Sequence, residues 1–186
     1  GLWLKYYESK GAVFNLTVSN KAFGLLFYSN IAAYSLSLLG FNLPVYITYI
    51  AMLSALVQLI GIRYLYKLLF ANEIKVFHDK NNLPQMLFRF SFFALFVKYI
   101  FQLISVLPDI GNAAFLSRDV MIGFIHLVML GVISAGIMGW FAGFELLNSK
   151  SKILKYGVYT FLVSFTLSEV LLFYPALVIW FKISGI

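Results

Sequence analysis

Cysteine is absent from these 186 residues. That excludes disulfides, thiolate metal sites, iron–sulfur clusters and covalently attached c-type haem. Charge is also scarce: 11% of residues are charged and 62% are hydrophobic, whereas soluble domains run near about a quarter and a half. Histidine occurs only twice. No GxxxxGK[ST] or GxGxxG run is present, so no phosphate-cradling loop is expected. Two histidines without a supporting pattern make no Ser-His-Asp constellation. No catalytic residue and no metal cluster is assigned, and no independent catalytic activity is expected. Gly1 to Lys21 has no continuous apolar core, so a cleavable signal peptide is not expected there. A chain beginning at Gly1 reads as processed or as part of a longer protein.

What the chain does have is long apolar runs. A water-soluble fold of this size has too little interior to hide 20 Phe together with the Leu and Ile, and the runs lack amphipathic spacing. Lipid is therefore the expected solvent, and a spanning helix needs about 20 mostly apolar residues. The fold expected is an all-α polytopic transmembrane helix bundle of about five spans, at 22–39, 44–69, 84–106, 120–144 and 156–181. Residues 22–186 form the transmembrane domain. Residues 1–21 mix Trp3, Tyr6 and Tyr7 with Lys5, Glu8 and Lys10, which suits an interfacial segment. Pro44 and Pro84 fall where a first-turn proline is tolerated. Asp119 is the expected N-cap of the fourth span, and Pro175 is the expected kink of the fifth. The connections leave no room for a soluble domain, and no internal repeat is found.

The net charge of +7 is read as a matter of orientation, not of nucleic-acid binding. Eleven basic residues fall to one side: Lys5, Lys10, Lys21, Arg63, Lys67, Lys75, Lys80, Arg89, Lys150, Lys152 and Lys155. Arg118 and Lys182 alone fall to the other. By the positive-inside rule the N-terminus is cytoplasmic and the C-terminal end outside, most simply in a bacterial inner membrane. Trp140 and Trp180 lie near opposite helix ends, as interfacial anchors do.

Several polar and small residues stand out against this background. Gly131, Ala135, Gly139 and Gly143, with Gly123 upstream, recur every fourth residue. Such a stripe lets helices approach closely in lipid, and it would also offer a flat wall to a planar cofactor. Lys98 and Glu169 lie about 20 Å from the cytoplasmic ends of their helices, in one layer. Charges there face protein, water or each other. An ion pair, a proton or ion path and a charged-ligand pocket all satisfy that. His126 and Gln102 lie farther out, about 27 Å from the same side. On an ideal helix His126 points about 160° from the centre of the small-residue stripe. It serves either as a hydrogen-bonded core residue, with Gln102 as partner, or as a cofactor ligand. His78, beside Asp79 and Lys80, is expected to be solvated.

The run Ile125-His126-Leu127-Val128-Met129-Leu130-Gly131-Val132, continuing to Gly139-Trp140, resembles the His-bearing helix of haem-copper oxidase subunit I and of NnrS-type haem-and-copper membrane proteins. It also resembles uncharacterised polytopic membrane proteins of Bacteroidota, where such a helix follows an Leu-Pro loop like Leu107-Pro108. The similarity covers about half the chain. It implies haem ligation by His126, while the second intramembrane histidine and the copper-binding cluster of the oxidases are missing. A second axial ligand would come from Met121, from Met129, which cannot reach the opposite face of the same haem, from a partner, or from helices outside this chain.

The leading expectation is an integral membrane subunit or accessory protein of a respiratory or other energy-linked complex, contacting haem or quinone. The identity of any cofactor stays open. Its partners are the lipid bilayer and other membrane subunits, not nucleic acid. The alternatives are a small transporter or proton relay using Lys98 and Glu169, and a structural scaffold.

Overall fold

The computed structural model describes residues 2–9, 11, 15–34, 45–76, 83–107, 117–148 and 151–183. Six helices account for most of them: α1 Leu2–Ser9, α2 Leu16–Ala32, α3 Val45–Val76, α4 Leu83–Ile104, α5 Arg118–Gly143 and α6 Lys152–Ile183. No strand occurs among the described residues. Four of the helices are long and apolar enough to cross a membrane, over Tyr46–Leu69, Leu83–Ile104, Arg118–Gly143 and Lys152–Pro175. Their outward sides carry large apolar residues such as Leu53, Phe93, Ile125 and Leu171. Water would penalise such a surface and hydrocarbon does not. The chain is an all-α integral membrane protein.

The first expected span, 22–39, is occupied in part by α2. Its 17 residues begin at Leu16 because Asn15 caps it: the Asn15 side-chain oxygen accepts from the amides of Thr17 at 3.0 Å and Val18 at 3.4 Å. That cap places the start six residues before the apolar run. Residues 35–44 lie outside the described residues, and so do His78 and Lys80. The N-cap of α5 is Ser117, not the expected Asp119. Asp119 sits instead within the first turn, where its charge complements the helix dipole. Helix α6 continues through Pro175.

The chain divides into two compact units, one of residues 3–78 with 99–112, the other of 79–98 with 113–186. In the first, α2 and α3 are antiparallel neighbours. Ala22 and Ser29 face inward from α2, and Ala51, Ser54, Ala55 and Gln58 from α3. Their size lets the backbones approach: a Cβ at Gly61 would lie 2.9 Å from Leu26 Cδ2. In the second unit, Leu83 and Leu87 of α4, Ala135 of α5 and Val158 and Leu162 of α6 form one apolar cluster. The Phe90 and Phe165 rings meet edge to face beside it, 5.8 Å between centroids. Gly139 packs on α4, where an added Cβ would lie 3.1 Å from Phe88 and 3.2 Å from Leu87 Cβ. Gly143 is buried.

Helix α5 departs from regular α geometry. Residues Leu127–Ser134 are π-helical, and the Ser134 hydroxyl donates to the Met129 carbonyl five residues back, at 2.9 Å. The cause lies in the spacing of its small residues. Gly123, Leu127, Gly131, Ala135, Gly139 and Gly143 are all buried, while Met121, Ile125, Met129, Ile133, Ile137 and Phe141 are all exposed. Both series have period four. An α-helix turns such a series about 40° per step, which over five steps would sweep it to the opposite side. A π-helix, with about 4.4 residues per turn, turns it back by roughly 33° per step. The π segment thus holds the small residues against α4 and α6 and the large ones toward lipid. The widened turn also re-routes hydrogen bonds: the buried Ser91 hydroxyl of α4 donates to the Val132 carbonyl at 2.6 Å.

Helix α5 ends with Glu145 at φ +59°, and the Leu146 amide donates back to the Phe141 carbonyl at 3.0 Å. This left-handed position is the one glycine usually fills. Glu145→Gly should raise stability by about 1 kcal/mol, measured as the unfolding midpoint in detergent. A lower midpoint would show that the Glu145 side chain contributes more than its backbone costs.

Candidate intramembrane polar layer

The second unit has a definite helix register. A Cβ at Gly131 would lie 3.0 Å from Ala94 Cβ on α4 and 2.9 Å from Phe165 Cζ on α6. Gly139 meets Leu87 and Phe88, and Gly123 meets Leu172 and Phe173. Both neighbours therefore run antiparallel to α5. One helical turn from the Gly131 crossing, in the same direction, α4 presents Lys98, α5 presents Leu127 next to His126, and α6 presents Glu169. A turn is about 5.4 Å, so the three ionisable residues share one layer.

Each side chain reaches the layer for a local reason. Glu169 continues the inward face of α6 set by Val158, Leu162 and Phe165 and is only 8% exposed. Lys98 is half-buried on α4. His126 is half-buried as well, with its Nδ1 atom shielded. Its neighbour Leu127 stays on the buried series of α5, so His126 lies about 100° from that series at the junction with the π segment. This corrects the ideal-helix expectation of a face opposite the stripe. It also corrects the depth: His126 lies beside the Lys98–Glu169 layer. A π-helix is wider and rises less per residue, so counting α-helical steps overstates the height.

Two side chains of the layer carry polar atoms without hydrogen bonds among the described residues. Among the described residues, neither carboxylate oxygen of Glu169 has a hydrogen-bond partner, and neither does His126 Nδ1. A hydrogen bond between Lys98 and Glu169 is therefore not made. Buried polar atoms in folded proteins nearly always find partners, so such exceptions call for a cause. Trp140 has its Nε1 buried without a partner, with its ring against Phe141 and Phe144.

A ligating histidine normally has its second nitrogen fixed by a hydrogen bond, and His126 Nδ1 has none. Met121 and Met129 point outward. No group of three or more metal-binding side chains occurs among the described residues. Comparison with protein-family models, with curated proteins and with solved structures returned no match. The site is thus read on its own chemistry.

Gln102 belongs to the first unit, where it is buried with its Oε1 unpartnered. The same unit holds a polar network of uncharged side chains. Gln58, fully buried, donates from Nε2 to the Ser29 carbonyl at 3.3 Å and to Asn30 Oδ1 at 3.2 Å. Asn30 Nδ2 donates to the Leu26 carbonyl at 2.6 Å and to the Tyr99 hydroxyl at 3.3 Å. Uncharged amides inside apolar runs carry no charge signal, which is why charge counting passed over them.

Proposed function

We propose that this integral membrane protein moves protons through the Lys98–His126–Glu169 layer, as a small proton-coupled transporter or relay. One observation carries the reading: a buried carboxylate without a hydrogen bond shares its layer with an imidazole nitrogen that also has none. Intramembrane ionisable residues of this kind mark ion and proton pathways. The chemistry is a reversible transfer. The Glu169 carboxyl gives its proton to the His126 imidazole, leaving a carboxylate and an imidazolium, and the return transfer restores both neutral groups. Histidine suits this exchange because its ring nitrogens can both bind and release a proton. Lys98 contributes positive charge to the same layer.

In proteoliposomes holding an internal pH dye, an imposed gradient should collapse faster with the wild type than with empty vesicles. Glu169→Gln should slow that flux by about a hundredfold or more, and His126→Ala should also reduce it. Flux unchanged in Glu169→Gln would refute the reading. A visible absorption spectrum of haem type, lost in His126→Ala, would instead favour membership of an energy-linked complex.

The proposed orientation is N-terminus cytoplasmic, resting on the distribution of basic residues. With no native cysteine, single cysteines at Leu107 and Asn148 should label from opposite faces of intact membranes, Asn148 from the cytoplasmic one. Labelling from the same face would overturn this topology.

A further inference from the structure

We infer that the first unit holds a second, uncharged site, at Gln58, for a monovalent cation. The buried side-chain atoms left without hydrogen bonds among the described residues of this unit are Gln58 Oε1 and Gln102 Oε1. Both are acceptors, and no orphan donor accompanies them. The orientation of the Gln58 amide follows from its contacts: its nitrogen faces two acceptors, the Ser29 carbonyl and Asn30 Oδ1, so its oxygen must be the unmet atom. Gln102 lies one turn along α4 from Tyr99, whose hydroxyl joins the same network through Asn30.

A water molecule could donate to such oxygens but would leave its own lone pairs without donors. A cation asks only for oxygens. Neutral amide and carbonyl oxygens are the ligands that hold alkali cations and ammonium groups inside membrane proteins, whereas divalent ions generally require carboxylates. No described carboxylate appears among the side chains of this network. The Gln58 site does not depend on the Lys98–His126–Glu169 layer.

The full chain in nanodiscs should show a saturable rise of several degrees in unfolding midpoint with at least one of sodium, potassium or ammonium chloride. Choline chloride at equal ionic strength should not produce it. Gln58→Leu should abolish the rise, the milder Gln102→Leu should shift its half-saturation to higher concentration, and Glu169→Gln should leave it intact. The inference fails if all the salts match choline, which would leave a bound water as the occupant. It also fails if the rise survives in both glutamine variants, or if it vanishes in Glu169→Gln, which would move the cation to the charged layer. Should Gln58→Leu not fold, the wild-type salt comparison together with Gln102→Leu decides.

Discussion

Gly131→Leu is expected to destabilise the protein by about 3 kcal/mol, the upper end of what overpacking usually costs. A Cβ alone at this position would meet Ala94 Cβ at 3.0 Å and Phe165 at 2.9 Å. The Phe165 ring has some freedom to move. The Ala94 methyl is fixed to its backbone, so α4 would have to retreat. That retreat would also strain the Ser91–Val132 hydrogen bond, since both contacts join the same two helices. Gly157, with nothing among the described residues within 4 Å of an added Cβ, supplies the control. Gly157→Ala should be neutral or stabilising by up to about 1 kcal/mol. Reversible unfolding in mixed micelles would compare the two. Equal tolerance at both positions would mean that α5 does not pack on α4 and α6 as described.

The second large effect has an unusual sign. Glu169→Leu should raise stability by about 1–3 kcal/mol, because it removes a buried polar group that makes no hydrogen bond. A hydrogen-bonded ion pair would behave in the opposite way, since deleting one partner strands the other. The same unfolding assay therefore separates an unsatisfied carboxylate from a paired one. A gain in stability together with a loss of flux is what a functional site maintained at the expense of stability would give. A loss of stability would indicate that Glu169 is held by an ion pair.

Much of this architecture was legible in the residues. The runs at 44–69, 84–106, 120–144 and 156–181 correspond to helices because long uncharged stretches in lipid have few other ways to satisfy their backbones. Lys98 and Glu169 stood out because a charge inside such a run is costly. The π segment was harder to read, although its signal was present. Buried and exposed residues of α5 both recur every fourth position over six repeats, a period too long for 3.6 residues per turn. Such a pattern requires underwinding or a right-handed path around its neighbours. Treating α5 as ideal placed His126 on the wrong face and too far from Glu169. The start of α2 was misplaced for a different reason: the Asn15 cap outweighs the polar residues that follow it. The amide network of Asn30 and Gln58 was not apparent because uncharged side chains become conspicuous only once burial removes their water.

Proton movement through this layer requires Glu169 to exchange its proton inside the membrane. Infrared difference spectroscopy of the bilayer-reconstituted protein, titrated with pH, tests that directly. The predicted result is a protonated-carboxyl C=O band that rises and falls reversibly, shifts in heavy water and is absent from Glu169→Gln. A carboxyl signal identical in wild type and Glu169→Gln would mean that Glu169 never changes protonation, and would contradict the account.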